Sequence, residues 1–291
     1  MNMSSTNSLY LKLGPLLLPF LVLFCGGVFM TLCQSVGVFT PLPYHGGIFD
    51  AYTQLLADPA FFASFGFSMG VAAVSAFIAV AAGAYLAYRV WQLPARLSSA
   101  ALVYKIPLIL PHLAVAFVVL VCWSQSGILA SVAHRLGLIH SMREFPDVLY
   151  SGWGIGMILA YALKGTPFAM LLVMALLVRF DVRQIQTAVM LGASRTRIFF
   201  SIVLPRMAPA LHTGFIILFL YGFGAFDIPY VLGESRPGML SIRVFNLYFR
   251  RDLARRPEAM AMLMIMFGFA VLFIIAYSKV VRRLENGVRK L

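Results

Sequence analysis

The stretch 181–209, DVRQIQTAVMLGASRTRIFFSIVLPRMAP, is a polar interruption between two long apolar segments. An amphipathic run leads to Gly192, and a second helical run follows it and is predicted to end at Pro205 and Pro209. Glycine allows a left-handed turn or the close approach of another backbone, and proline cannot donate a helical hydrogen bond. The pattern predicts two short helices that meet at Gly192, with Ser194 capping the second.

The composition of the chain is that of a membrane protein. It has 291 residues, of which 61% are hydrophobic and 11% charged, whereas a soluble domain has about 25% charged residues. An apolar segment of about 20 residues can cross a bilayer as a helix. Six segments qualify, at about 13–33, 62–88, 101–123, 152–178, 211–232 and 259–280. The predicted fold class is therefore all-α, a polytopic membrane protein with six transmembrane helices.

The first apolar run and the lack of repeats define the organisation of the chain. The run 13–32 is longer than a usual signal-peptide core and has no A-x-A cleavage site, so it is predicted to be a retained transmembrane helix. Internal repeats and low-complexity linkers are absent from the sequence, so residues 1–291 are predicted to form a single domain. Pro107 and Pro111 predict a kink or distorted first turns in the third span.

Basic residues are unequally distributed between the two sides of the membrane. With six spans both termini lie on one side, and most lysines and arginines fall in the segments on that side. One such segment is the polar loop (residues 179–210), and the only acids on that side are Asp181 and Glu285. The positive-inside rule then predicts that both termini and the polar loop are cytoplasmic. The net charge of +13 reflects this topology, and the chain lacks the aromatic–basic motifs of nucleic-acid-binding proteins.

The polar loop carries a fixed spacing of residues. Ala188 is followed after three residues by Gly192, and after nine more by Ile-x-Leu-Pro at 202–205. This spacing resembles the EAA loop in the permease subunits of binding-protein-dependent ABC importers. Gln186 stands where that family has Glu, and Thr187 where it has Ala. The loop also lies between the fourth and fifth of six spans, as in type I importer permeases of MetI-like architecture.

The resemblance implies a non-catalytic permease subunit that forms a solute pathway across the bacterial inner membrane and has no cofactor of its own. Its partners would be a second permease subunit (a related chain or a second copy), two cytoplasmic ABC ATPase subunits that hold ATP and magnesium, an external solute-binding protein and membrane lipid. No nucleic acid is expected among them. The residues it implies for the ATPase-coupling loop are Gln186, Thr187, Ala188, Leu191, Gly192, Ala193, Ser194, Arg195, Ile202, Leu204 and Pro205.

The residue types of the polar loop suit docking to another protein. Its apolar residues at helical spacing are Ile185, Val189 and Leu191. Its arginines are Arg183, Arg195 and Arg197, which would meet acidic groups of the ATPase or anionic lipid headgroups. Gln186 keeps the hydrogen-bonding capacity of glutamate but lacks its charge, so a charge-assisted contact is lost there. The alternative is a plain re-entry loop in which glycine and proline act only as helix breakers.

Lys164 lies near the middle of the fourth span, three residues before Pro167. A charge at this depth is costly, and such a charge usually faces a cavity or a partner. One hypothesis makes Lys164 and Pro167 part of the solute pathway or its gate. The other makes Lys164 a structural residue, bound to the backbone carbonyls that a proline kink leaves free.

Asp227 lies near the outer end of the fifth span, within Gly-Ala-Phe-Asp-Ile-Pro at 224–229. This stretch is similar to that of permeases in the polyamine, ferric iron and thiamine group, and it adds Phe226 and Pro229 as pathway candidates. An acid at the outer mouth suits a cation, so the predicted solute is a polyamine or another small charged molecule. Ferric iron, thiamine and phosphonate are alternatives. An ion pair of Asp227 with Lys164, or with an arginine of 236–256, is the structural alternative.

Other chemistry finds little support in the sequence. The histidines show no metal-ligand spacing, and there is no phosphate-binding loop and no nucleophile–base cluster. A stand-alone channel or secondary transporter is the alternative functional class, although such proteins tend to have internal repeats.

Cys33 and Cys122 would lie near one membrane face, which allows a disulfide. Small residues of the second span favour close helix packing: Gly66, Gly70, Ala73, Gly83 and Ala87.

Three outer segments are predicted to be amphipathic helices. They are 49–62, which should end at Asp58-Pro59, then 127–139 and 240–253. The stretch 252–259 is also similar to the polyamine group, and it would contact the solute-binding protein or remain a structural loop.

Overall fold

A computed structural model describes residues 3–40, 42–94, 106–234, 236–250 and 253–288. The helices before residue 150 are α1 (Met3–Ser35), α2 (Asp50–Ala57), α3 (Pro59–Trp91), α4 (Ile106–Ile109), α5 (His112–Trp123) and α6 (Ile128–Arg135). Those after it are α7 (Ile155–Leu177), α8 (Arg183–Met190), α9 (Arg195–Ile198), α10 (Leu204–Gly224), α11 (Asp227–Leu232), α12 (Leu240–Phe245) and α13 (Arg256–Val288). Short 3-10 turns occur at Met142–Glu144 and Leu253–Arg255, and π-helical turns at Phe199–Val203 and Asn246–Arg250.

Six stretches are long and apolar enough to cross a membrane. They are Leu13–Ser35, Pro59–Trp91, His112–Arg135, Ile155–Leu177, Arg195–Gly224 and Leu253–Arg283. Every regular element in the described part of the chain is helical, so the predicted all-α fold with six spans is confirmed. The predicted start of the third span at 101, together with Arg96, Lys105 and Asp252, lies outside the described residues.

Two compact units can be recognised from the contacts within the chain. The first comprises Met1–Phe61 and Arg243–Phe273, and the second Phe62–Ile242 and Ile274–Leu291. The polar loop and all the pathway candidates belong to the second unit. That residues 1–291 form one domain stays a prediction.

In the first unit, polar contacts hold the connection between α2 and α3. The α2 helix ends at Ala57, as predicted for Asp58-Pro59, and Asp58 accepts a hydrogen bond from the Ala60 backbone N–H at 2.9 Å. Arg243 forms an ion pair with Asp58. Partial burial acts to raise the pKa of Asp58, but the Ala60 N–H and the Arg243 guanidinium outweigh it, so the pKa lies below its ordinary value.

The second unit contains two clusters of buried apolar side chains. The first joins α3, α5, α7 and α11, and it includes Val71, Val119, Met157 and Ile228. The second joins α3, α7 and α10 to the polar loop, and it includes Met170 and Met207. The α7 helix contributes to both clusters, so it forms the centre of this unit.

The predicted kink in the third span lies at Pro111. The α4 helix contains Pro107 and ends at Ile109, and α5 begins at His112 with Pro111 as its N-terminal cap. Proline at this position cannot donate the hydrogen bond that would continue α4 into α5. The backbone carbonyls at the end of α4 are therefore left for other partners.

The fifth span differs from its prediction at both ends. The helical run does not end at Pro205 or Pro209, because α9, the π-helical turn and α10 follow one another without a break from Arg195 to Gly224. Pro205 is the second residue of α10, and the hydrogen bond that it cannot donate would have gone to a carbonyl within the π-helical turn. At the other end the helix stops at Gly224, and α11 is separate.

The α3 and α7 helices approach each other closely through glycine. A Cβ added at Gly83 would lie 2.7 Å from the Thr166 carbonyl oxygen and 2.8 Å from the Met170 backbone nitrogen. By contrast, a Cβ at Gly66 or Gly70 would meet nothing within 4 Å. The predicted close packing of the second span is thus found at Gly83 and is not found at these two glycines.

Replacing Gly83 with alanine is expected to destabilise the folded protein by about 1–3 kcal/mol, because α3 and α7 must separate to admit the methyl group. Thermal unfolding of the purified protein in detergent measures the effect. Gly66→Ala is the matched control on the same helix, and it should leave the melting temperature unchanged or slightly raised. Equal losses in the two variants would show that helix separation is not the cause.

Candidate functional site

The polar loop makes a defined turn at Gly192. This residue has a φ of +77°, in the left-handed region that favours glycine. The Ala193 N–H donates to the Ala188 carbonyl oxygen at 3.0 Å, and the Gly192 N–H donates to that of Val189 at 2.9 Å. These two bonds are those of a Schellman motif, which satisfies the last carbonyls of α8. The left-handed turn expected from the sequence is therefore present.

Ser194 begins the second helix of the loop. Its backbone is extended, and its hydroxyl oxygen accepts a hydrogen bond from the Arg197 backbone N–H at 3.3 Å. This is the side-chain cap that the sequence predicts. Only four residues thus separate Met190, at the end of α8, from Arg195, at the start of α9.

The inner face of the polar loop is anchored to the membrane helices. Ile198 and Val203 are buried in the second core cluster. The loop residues that are partly buried against the same cluster are Ile185, Ala188, Ala193, Phe199 and Ile202. Ile185 therefore packs within the chain, which corrects the expectation that it is available to a partner.

The outer tip of the polar loop is apolar and exposed. Met190 is 89% exposed and Leu191 82%, and Val189 beside them is also exposed. Val189 and Leu191 were predicted to be available to a partner, whereas Met190 was not. Met190 could have been recognised from the sequence, because it lies between Val189 and Leu191 in the apolar run that precedes Gly192.

The remaining residues assigned to the loop lie mostly on its surface. The exposed ones are Gln186, Thr187, Arg195 and Pro205, and Leu204 is half-buried. Arg183, Arg195 and Arg197 are exposed, and they form no ion pair with any described residue. Asp181 accepts a hydrogen bond from the Arg183 backbone N–H at 3.0 Å. The loop thus presents uncompensated positive charge around an apolar tip.

Lys164 is bound to the broken third span. Its Nζ donates to the carbonyl oxygens of Pro107 and Leu108, both at 3.1 Å, and to that of Leu110. These carbonyls have lost their helical partners at the Pro111 break, and a positive charge is favourable at a helix C-terminus. The geometry matches the structural hypothesis for Lys164, with one correction. The carbonyls belong to the neighbouring span and not to the kink at Pro167.

Asp227 is the exposed first residue of α11. Neither of the ion pairs considered for it, with Lys164 or with an arginine of 236–256, occurs among the described residues. The two pathway candidates beside Asp227 have different surroundings. The Phe226 ring lies 5.1 Å from that of Tyr230, and Pro229 is buried.

A cavity of about 240 Å³ lies beside Lys164 in the second unit. Its wall includes His112, Tyr161 and Tyr221, and the rings of His112 and Tyr221 are 4.8 Å apart. None of these three residues was predicted from the sequence to belong to a site. They come from three different spans, and nothing in the sequence indicates which faces of those spans meet.

All three cysteines, Cys25, Cys33 and Cys122, are free. The disulfide that the sequence allows between Cys33 and Cys122 is not formed.

Comparison with known proteins identifies a family. A family model described as "Binding-protein-dependent transport system inner membrane component" matches residues 79–290. The chain is 29% identical over 136 residues to the probable ABC transporter permease protein y4fN of Sinorhizobium fredii. The matched region covers 47% of this chain and 23% of that protein. The chain is 28% identical over 143 residues to the molybdenum transport system permease protein ModB of Escherichia coli K12, and this match covers 47% of this chain and 56% of ModB. The chain thus spans about a quarter and just over half of these curated relatives.

A solved structure shares the fold. It is the crystal structure of a bacterial alginate ABC transporter in complex with alginate pentasaccharide-bound periplasmic protein. One of its chains superposes with a TM-score of 0.77 over 98% of this chain and 99% of that chain, at 17% sequence identity. At this identity the likeness concerns the fold alone.

Proposed function

The chain belongs to the family of binding-protein-dependent transport system inner membrane components, and on this premise we propose that it is the permease subunit of a type I ABC importer. It forms the solute pathway through the bacterial inner membrane with a second permease subunit. Two cytoplasmic ATPase subunits bind and hydrolyse ATP, and an external binding protein delivers the solute. This chain supplies no catalytic residue and no cofactor.

The observation that carries the proposal is the structure of the polar loop, which has a packed inner face and an exposed apolar tip. Its inner face is packed into the core cluster of α3, α7 and α10, whereas Met190 and Leu191 stand exposed at its tip. An exposed apolar tip with a rigid, hydrogen-bonded base is suited to insertion into a groove of another protein. Since the second helix of the loop continues into α10, a displacement of the tip is transmitted to a membrane-spanning helix.

The mechanism that follows is alternating access. Closure of the two ATPase subunits on ATP carries the docked loops with it, and the attached helices turn from an inward-facing to an outward-facing arrangement. The binding protein then releases its solute into the opened pathway. Hydrolysis separates the ATPases and returns the helices to the inward-facing state.

The solute in this proposal is small and charged, and two observations favour opposite signs. A polyamine, the solute expected from the sequence, is favoured by the exposed Asp227 carboxylate, which has no ion-pair partner among the described residues. Lys164 favours an acidic solute, because its positive charge also lacks a carboxylate partner among those residues. The name of the ModB relative concerns molybdenum, which is not a polyamine.

Leu191→Asp is expected to reduce the amount of ATPase that purifies with the permease by about tenfold or more, because a buried unpaired carboxylate costs several kcal/mol at an apolar contact. Leu191 is the C-terminal cap of α8 and directly precedes a left-handed glycine. Leu136→Asp is the matched control, since Leu136 is exposed, caps α6 and also precedes a left-handed glycine. Under the channel or secondary-transporter alternative, no ATPase would purify with any of the proteins.

A further inference from the structure

The cavity beside Lys164 has a positively charged wall. It has a volume of about 240 Å³ and lies among α3, α4, α5, α7 and α10. Its wall contains Lys164 and His112, and among the described residues it includes no aspartate or glutamate. Most of the remaining wall is apolar, including Ala79, Leu108 and Phe168. Small-molecule sites usually have this form, an apolar pocket with a few polar groups that fix the ligand.

Tyr161 gives this wall an unused hydrogen-bonding group. Its side chain is 6% exposed and lines the cavity. Its hydroxyl is buried, and no described residue is its hydrogen-bond partner. Buried tyrosine hydroxyls usually have a partner, so one that lacks a partner beside a cavity points to a ligand that supplies it.

Lys164 contributes charge to the cavity rather than hydrogen bonds. An ammonium has three N–H donors, and the carbonyls of Pro107, Leu108 and Leu110 accept all three. Carbonyl dipoles orient the ammonium but do not remove its unit charge. No carboxylate of a described residue forms an ion pair with it.

Asp227 is not part of the lining of the cavity. A solute inside the cavity therefore meets Lys164 and the Tyr161 hydroxyl in the wall, and it meets no carboxylate of a described residue there. That arrangement favours a hydrogen-bond acceptor that carries negative charge.

We propose that this cavity binds the transported solute in transit and that the solute is a small anion. One of its oxygens accepts a hydrogen bond from the Tyr161 hydroxyl, and the charge of Lys164 attracts it. The proposal rests on the proposed function and adds the sign of the solute's charge. Binding must be weak, since a solute that crosses the membrane has to leave the site again.

Binding of molybdate, galacturonate and spermidine to the reconstituted complex of permease and ATPase tests this proposal. Equilibrium dialysis should detect millimolar or tighter binding of at least one of the two anions. Tyr161→Phe should weaken that binding about tenfold, the effect of losing one hydrogen bond to a charged group. The variant should also melt at the same or a higher temperature, because it removes an unpaired buried hydroxyl.

Tyr85→Phe is the matched control, since it removes a hydroxyl from an exposed tyrosine of α3. It should bind the anion as the unmodified complex does. Binding of spermidine in preference to both anions, binding of none of the three, or unchanged anion binding by Tyr161→Phe would each overturn the proposal. The proposed function predicts that the ATPase stays bound to the purified permease. If the ATPase is retained, any of these outcomes overturns the anion proposal alone and leaves the proposed function standing.

Discussion

Replacing Gly192 with valine is expected to abolish transport while the permease still folds into the membrane. The φ of +77° at Gly192 costs a non-glycine residue about 1–2 kcal/mol, and a β-branched residue more. A Cβ here would meet nothing within 4 Å, so backbone strain is the only direct effect. The free loop relieves this strain by opening its turn, which displaces Met190 and Leu191. Since docking requires the closed turn, the ATPase should bind about tenfold more weakly or worse.

The measurement is solute uptake by proteoliposomes, together with the amount of ATPase retained on the permease. Gly137→Val is the matched control, because Gly137 has a φ of +71° and open space around its Cα. Its turn also has the Schellman bonds, from Gly137 N–H to the His134 oxygen and from Leu138 N–H to the Ala133 oxygen, both at 3.0 Å. The two substitutions therefore carry the same local strain. Equal losses of ATPase in both would mean that strain, and not docking, causes the defect.

Replacing Lys164 with methionine is expected to remove most of the folded permease from the membrane. The three carbonyls at the end of α4 would lose their donor. The three hydrogen bonds are partly buried. A carbonyl left unpaired away from water costs about 1–3 kcal/mol, and a protein's net stability is only about 5–15 kcal/mol. The combined loss is therefore a large fraction of the total. The amount of monodisperse protein extracted in mild detergent, and its melting temperature, measure the effect.

Lys279→Met is the control for loss of a charge alone, because Lys279 is exposed on α13. It should leave the yield of folded protein nearly unchanged. The same experiment distinguishes the two hypotheses for Lys164. Were it only a pathway or gate residue, Lys164→Met would fold normally, melt at the usual temperature and fail only in transport.

Features that depend on a single segment could be predicted from the sequence. Six spans follow from apolar length alone, and the turn at Gly192 follows from glycine's access to positive φ beside a serine that can cap the next helix. The break at Pro111 follows from the hydrogen bond that proline cannot donate. The spacing from Ala188 to Pro205 also indicated the family whose model matches residues 79–290.

Features that depend on which helix faces meet could not be predicted. Lys164 was expected to bind carbonyls freed by Pro167 in its own helix, but the Pro111 break in a neighbouring span supplies them. The continuation of the helix through Pro205 depends on a π-helical turn, which has no clear sequence signature. The unpaired hydroxyl of Tyr161 becomes visible only when its neighbours are known.

The central claim is that the tip of the polar loop lies against the ATPase in the assembled importer. A photoreactive amino acid in place of Leu191 tests it directly, with the same substitution at Leu136 as the control. Irradiation of the complex should cross-link position 191, and not position 136, to the ATPase subunit. A purified complex that retains its ATPase but gives no cross-link from position 191 would contradict the account.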